Sequence, residues 1–253
     1  MIELRIAAVG DIHLGEDVRG RYRQRLAGIE ERADVLLLAG DLTRHGTLEE
    51  GRLVAEEFRG LPIPVVAVLG NHDYHSDLQN EIADELRESG MRVLDDDGTV
   101  LDCGPAGPGG QARLNGQARL GVVGGKGFGG GFAGKSASEF GEREIKNFVA
   151  HTRRIAESWQ RALKEIEADR CVVLSHYSPI KETLEGEPPE IYPFLGSYLL
   201  AEAVDAVGAD LILHGHAHKG TEKGMTPGGI RVRNVALPVL GRAYGIYCVG
   251  LPG

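Results

Sequence analysis

The sequence predicts an α/β fold in which helices cover a sheet, and three observations lead there. Short apolar runs of strand length recur, among them Leu4 to Val9, the run within Asp34 to Asp41, and Val65 to Leu69. Each is apolar almost throughout, as a strand buried on both faces must be. Between them lie longer segments whose apolar residues return at helical spacing, so the order reads strand, helix, strand, helix, strand, helix, strand. The chain has 253 residues, 42% of them hydrophobic, which suffices for one substantial core, and a single domain over 1–253 is expected.

The first strand, Leu4 to Val9, stops at Gly10-Asp11-Ile12-His13. From Val18 to Ala33 the residues Tyr22, Leu26, Ile29 and Ala33 recur at helical spacing among arginines and glutamates, predicting a surface helix packed on a sheet. The second strand is halted by Gly40-Asp41. Thr47, with Glu50 three residues on, predicts a capping box for a helix to about Phe58, and Pro62 and Pro64 lead into the third strand. Leu78, Ile82 and Leu86 mark one face of the next helix, with Asp77 as the expected N-cap and Gly90 as the stop.

Val93 to Leu101 and Ala118 to Val123 suggest strands of a second sheet, with an exposed turn region from Gly104 to Gly110 between them. A long helix is predicted from Ala137 to about Ala168, with Phe140, Phe148, Ile155, Trp159, Leu163 and Ile166 as its buried face. Cys171 to Leu174 is a strand ending at Ser175-His176, and Pro188, Pro189 and Pro193 then describe a loop. Leu199 to Val207 reads as helix and Asp210 to Leu213 as strand; Ile230 to Val235 and Tyr244 to Val249 read as strands that close a sheet.

Composition removes several functions. A formal net charge of −9 and a pI near 5.5 argue against a protein that grips nucleic acid through its backbone. Cys103, Cys171 and Cys248 are odd in number and far apart, which speaks against a disulfide framework and for small buried hydrophobes. No run approaches the roughly 20 apolar residues of a membrane span. The start, Met1-Ile2-Glu3-Leu4-Arg5-Ile6, lacks the basic and apolar regions of a signal peptide, so the cytoplasm is the expected location.

Five of the strand ends carry metal-ligand residue types: Asp11 with His13, Asp41, Asn71-His72-Asp73, His176, and His216 with His218. Asp11 and His13 flank one residue, so in extended backbone both point to the same side. Five such ends converging on one point would build a metal site. In this order, Asp11-x-His13, Gly40-Asp41, Gly70-Asn71-His72-Asp73, His176 and Gly215-His216-x-His218 resemble the motif set of the calcineurin-like metallophosphoesterases, over residues 11 to 218.

That resemblance implies a four-layer αββα sandwich, with two mixed sheets face to face and metals bound by loops along one edge. It implies two divalent ions with Asp41 as the bridge; Asp11, His13 and His218 complete one site, while Asn71, His176 and His216 complete the other. Mixed nitrogen and oxygen ligands suit manganese, iron or zinc and disfavour calcium. Such a pair lowers the pKa of a bound water and neutralises phosphoryl oxygens, the chemistry that phosphate-ester hydrolysis needs. His72 is similar to the family histidine that stays off the metals and stabilises or protonates the leaving oxygen, with Asp73 expected to hydrogen-bond its other ring nitrogen.

Leu42-Thr43-Arg44 departs from the protein phosphatase pattern of that family, and the compact chain is more like its small bacterial phosphodiesterases. A small phosphodiester is therefore the expected substrate, ahead of a monoester or a nucleotide pyrophosphate on the same site. A metal-binding scaffold without turnover is the rival from another class. Arg44, His45, His75 and Lys135 are candidate substrate contacts, and His214 is expected to support the ligands beside it. Gly129 to Ser136 also matches the phosphate-cradling pattern G-x-x-x-x-G-K-[ST], but the preceding strand ends several positions upstream, so a loop beside the active site is the preferred reading.

Overall fold

The computed structural model describes residues 3–103 and 118–251, so the expected turn from Gly104 to Gly110 lies outside the described residues. In chain order the elements are β1 Glu3–Val9, α1 Arg21–Arg25, β2 Val35–Ala39, α2 Leu48–Phe58, β3 Val65–Val68, α3 Gln79–Glu88, β4 Arg92–Leu94, β5 Asp97–Cys103, β6 Ala118–Gly125, β7 Gly131–Phe132, β8 Lys135–Ser136, α4 Arg143–Glu165, β9 Arg170–Ser175, α5 Tyr192–Leu195, α6 Tyr198–Asp205, β10 Leu211–His214, β11 Lys223–Met225, β12 Arg231–Asn234, α7 Leu237–Leu240 and β13 Gly245–Gly250. Two large sheets result, ordered β13-β1-β2-β3-β4 and β11-β12-β10-β9-β6-β5.

Side chains of a strand point alternately to opposite faces, so each central strand feeds two cores. From the first sheet, Val9, Leu36, Leu38 and Ala67 pack against Leu26, Phe58, Ile82 and Leu86 of the helical side. Their neighbours Ile6, Ala8, Leu37 and Val66 meet Leu120, Val172, Leu174 and Leu213 of the second sheet. The far face of that sheet presents Val123, Val173 and Ile212 to Ile155, Trp159 and Leu163 of α4 and Leu200 and Val204 of α6. The layers are thus helix, sheet, sheet, helix, the expected sandwich. Among the described residues no helix is long and apolar enough to cross a membrane.

β1, β2, β3 and β4 run parallel, as do β6, β9, β10 and β12. Parallel strands deliver their carboxyl ends to one edge, where ligands of open α/β sheets bind. That edge receives Gly10-Asp11, Gly40-Asp41, Gly70-Asn71, His176 and Gly215-His216.

Several elements differ from their sequence reading. The helix expected from Val18 to Ala33 is α1 and a separate short turn at Ile29–Glu31, because Gly20 and Gly28 take φ of 75° and 70° and interrupt it. Its predicted core residues Tyr22, Leu26, Ile29 and Ala33 are nonetheless all buried. Asp77 is not the cap of α3; it has φ of 57°, and Leu78 takes the N-cap position without a side-chain bond. The long helix starts at Arg143 instead of near Ala137, which leaves Phe140 outside it and 87% exposed. Thr47 caps α2 as expected, its Oγ1 accepting from Glu50 N at 3.2 Å, but the Glu50 carboxylate turns to His45.

The predicted strand Val93 to Leu101 is two strands in different sheets, β4 and β5, hinged at Asp96 with φ of 60°. Trp159 Nε1 donates to Asp96 Oδ1 at 2.9 Å, tying the corner to the core of α4. Burial, the larger cause, and the neighbouring Asp95 and Asp97 push the Asp96 carboxyl up to about 6. An acid whose folded pKa is raised adds stability that is fully present below its unfolded value of 3.8 and lost as pH rises through about 6. Between pH 4 and pH 7 the protein should therefore lose on the order of 2 kcal/mol that Asp96→Asn retains, since the amide keeps an acceptor for the indole and no longer ionises. Denaturant midpoints of both proteins at the two pH values check this; identical slopes with pH would remove Asp96 as the cause.

Candidate metal centre

The strand ends that carry the expected ligands share an uncommon backbone. Asp11, His13, Asp41 and His216 have φ of 56°, 42°, 51° and 71°, the left-handed region that side-chain-bearing residues seldom occupy. Held there, each chain turns sharply off its strand and aims its side chain across the sheet edge, a form of strain concentrated at functional sites. The motif glycines make room for this crowding. A Cβ on Gly40 would lie 2.7 Å from the His176 ring, and one on Gly70 would lie 2.1 Å from Asp41 Oδ1.

Two groups of ligand atoms result. Asp11, His13, Asp41 and His218 bring one donor atom each within 4.8 Å of one another; Asp41, His176 and His216 do the same, so Asp41 belongs to both. In the first group His218 Nε2 lies 2.8 Å from Asp11 Oδ1 and His13 Nε2 lies 3.8 Å from Asp41 Oδ2. In the second, His176 Nε2 lies 3.3 Å from Asp41 Oδ1 and 2.9 Å from Asn71 Oδ1, which brings Asn71 to the same point. The His216 ring packs 4.7 Å from that of His176. The backbone N–H of His216 donates to both oxygens of Asp11 and that of His72 donates to Asp41 Oδ1 at 2.8 Å, so the carboxylates are oriented by the loops opposite them.

The arrangement is short of hydrogens. His176 Nδ1 faces Ala39 O at 2.9 Å, the place for its proton, and Nε2 is then a lone pair pointed at two further acceptors. His13 Nε2 is buried with no hydrogen-bond partner. Burial pushes His13 down to about 4 and His216 down to about 3 and holds His176 well below the ordinary histidine range, so protons do not fill the gaps near neutrality. Asp11 is pushed up to about 6, by burial first and by the nearby Asp41, despite its bonds from His218 and His216. Converging lone pairs on neutral imidazoles and crowded carboxylates are the donor set of a divalent transition metal, and these residues fit one.

His72 stands beside the first group, its ring 4.5 Å from that of His13. Its Nδ1 lies 2.7 Å from the carbonyl oxygen of Arg44, which places an N–H at Nδ1 and leaves Nε2 outside that contact. The expected partner was Asp73, and the structure corrects this. Asp73 is fully buried, and its carboxylate accepts from the backbone N–H groups of Leu42, Thr43 and Gly70 and from the Thr43 hydroxyl. The short turn His72–Tyr74 carries the Asp73 side chain beneath the loops and away from the imidazole. Asp73 therefore ties the Asp41 loop to the Asn71 loop, and the Nδ1 partner of His72 is the Arg44 carbonyl.

The profile of the family described as calcineurin-like phosphoesterase matches residues 4–220. The chain belongs to the calcineurin-like phosphoesterase family. Hydrolysis of phosphate esters is the reaction class of these enzymes. No curated protein matches the chain in sequence. Among solved structures, phosphopantetheinyl hydrolase from Mycobacterium tuberculosis is 15% identical with a TM-score of 0.62, covering 99% of each chain. TT1561 of Thermus thermophilus is 16% identical with a TM-score of 0.59, over 99% of this chain and 100% of that one. GAP50, the anchor in the inner membrane complex of Plasmodium, is 12% identical with a TM-score of 0.53, over 94% of this chain and 73% of that one. At these identities the likeness is one of fold.

Around the phosphoesterase centre the other candidates separate. The Arg44 guanidinium pairs with Asp17 at 2.9 Å, and His45 Nδ1 pairs with Glu50 at 2.9 Å, so both are engaged away from the ligands. His75 is exposed at the end of the short turn that holds His72. His214 is fully buried, with Nε2 2.8 Å from Thr183 Oγ1 and Nδ1 2.7 Å from Gly215 O, a support for the strand end as expected. Lys135 sits exposed on β8, and the pattern Gly129 to Ser136 is a small hairpin, not a strand-to-helix phosphate loop. The amides of Gly130 and Gly131 donate to the carbonyls of Pro193 and Gly196 and are spent on that contact. Next along this loop, Phe194 O lies 3.2 Å from His216 Nε2. Sequence reasoning missed three neighbours of the site. Tyr177 packs 4.4 Å from the His216 ring, and Lys126 places its ammonium over Tyr177 and Tyr74. The signal for Lys126 was its place directly after Gly124-Gly125 at the end of β6, a strand end like those of the ligands.

Proposed function

We propose that this phosphoesterase hydrolyses a small phosphodiester at a dinuclear centre. The observation that carries the reading is the place of Asp41 in both ligand groups. Asp11, His13, Asp41 and His218 would hold one ion, and Asp41, Asn71, His176 and His216 the other. Bound there, the ions would lower the pKa of a water and neutralise charge on the phosphoryl oxygens. His72, its Nδ1–H held on the Arg44 carbonyl, would act as the imidazolium, handing the second proton, on Nε2, to the departing alcohol oxygen and returning to the neutral ring. Asp73 holds the two loops that set this distance. The preference for a diester over a monoester rests on the compact chain, which resembles the small bacterial phosphodiesterases of this family.

A panel of aromatic mono- and diester phosphates, cyclic nucleotides, dinucleoside polyphosphates and short DNA, assayed with added manganese, tests the reading. Turnover of a small diester that disappears on chelation and returns with manganese is the expected result. Metal binding without turnover of any ester would make the protein a scaffold instead.

A further inference from the structure

Lys126 is an unusual lysine. It is partly buried, yet among the described residues its ammonium makes no ion pair; its one hydrogen bond is a long 3.5 Å contact to Gly127 O. Three aromatic rings surround it instead, with Tyr74, Phe128 and Tyr177 centroids 4.9, 4.8 and 5.1 Å from Nζ. Cation–π contacts hold a charge in place without neutralising it, and the carboxylates of Asp96, Asp95 and Asp41 act on the ammonium from beyond ion-pair distance. Its backbone oxygen accepts from the N–H groups of both His176 and Tyr177. The Tyr177 ring neighbours both the ammonium and the His216 ring.

On the same side a cavity of about 120 Å³ is lined by Tyr74, Gln79, Asn80, Arg87, Asp95 and Lys126. Leu69 and Tyr74, which flank the Gly70 to Asp73 segment, both line it. Arg87 is paired with Asp84 at 3.0 Å, which leaves Lys126, beside Asp95, as the cation of this wall without an ion pair among the described residues. The Gln79 side-chain oxygen is buried there without a partner, and an amide can turn to present its N–H instead. A room of this size admits a group of a few heavy atoms, equivalent to about four waters.

We propose that Lys126 and this cavity form a second anion subsite, which takes a phosphate or carboxylate carried on one alcohol arm of the ester and so selects substrates with an anionic arm. The proposal rests on the phosphodiesterase reading and names the substrate feature that the site recognises. Lys126 would contact the substrate through its ammonium, while Tyr74, Phe128 and Tyr177 keep it aimed and dry.

The test uses manganese-loaded enzyme and 4-nitrophenyl phosphodiesters whose second arm is a short alkyl chain ending in a methyl, a carboxylate or a phosphate. In Lys126→Met, KM for an anionic arm should rise about tenfold, the effect of one lost charge-assisted hydrogen bond, with kcat and the methyl-ended ester within about twofold of wild type. Lys126→Arg should recover most of the difference, and Lys126→Gln replaces the methionine variant if that does not fold. A rise confined to the carboxylate or to the phosphate arm identifies which oxyanion is taken. An equal rise for the methyl-ended ester, or no rise for either anionic arm, overturns the proposal. If wild type hydrolyses none of the three, the phosphodiesterase reading has failed separately, and calorimetric titration of the matching alkyl bisphosphate decides the subsite. There, binding about tenfold weaker in the methionine variant supports it and equal binding refutes it.

Discussion

Replacing His72 with alanine should lower turnover by on the order of 10²-fold or more while metal content stays at the wild-type value. The expectation follows from position: the imidazole touches the ligand cluster through the edge of His13 yet spends Nδ1 on the Arg44 carbonyl, and belongs to neither ligand group. The loss should depend on the leaving group. An alkoxide leaves poorly without a proton and should suffer most, whereas nitrophenolate leaves almost unaided and should suffer least. Wild-type rates in the variant on both kinds of ester would remove His72 from the chemistry. Fewer bound ions in the variant would instead mark it as a ligand.

The Asp41→Asn variant should be hit harder, because one substitution reaches both ion sites. Its Oδ1 faces His176 and its Oδ2 faces His13, so an amide both withdraws the shared charge and turns an N–H toward a ligand nitrogen. Metal per chain after dialysis should fall at both sites together, and activity with it. A second readout has the opposite sign. Burial is the first cause that raises the Asp11 and Asp73 carboxyls, and repulsion from Asp41 adds to it, so the metal-free variant should melt at a higher temperature than metal-free wild type. A variant that loses only one ion, or that is less stable without metal, would deny Asp41 the shared role.

Much of the site was legible because its chemistry is written in consecutive residues at strand ends. An apolar run that stops at glycine and is followed by Asp, Asn or His needs no tertiary information to be noticed, and Asp11, His13, Asp41, Asn71, His176, His216 and His218 all come to one edge. The order of strands and helices was equally plain. What escaped depends on direction in space. Asp73 adjoins His72 in sequence, but a single short turn sends its carboxylate under Thr43. Phe140 continues the apolar period of α4, yet Gly141 with φ of 107° lies between it and the helix, which begins only at Arg143. The exchange of sheets at Asp96 falls within Asp95-Asp96-Asp97-Gly98, a polar run that marks a corner in the sequence but not which sheet each side joins. Lys126 shares the strand-end place of the ligands, after Gly124-Gly125, but the three rings around it come from separate segments and show only in space.

His218 and Asp11 touch at 2.8 Å across 207 residues of chain. During synthesis the carboxylates at the head of the protein therefore emerge long before the imidazoles that will share a cation with them, and no nascent fragment lacking the last third can complete that cage. Capture of the ion there is a late event, after the ribosome has released both strands involved, and truncated products would carry the acidic half of the centre with nothing to balance it.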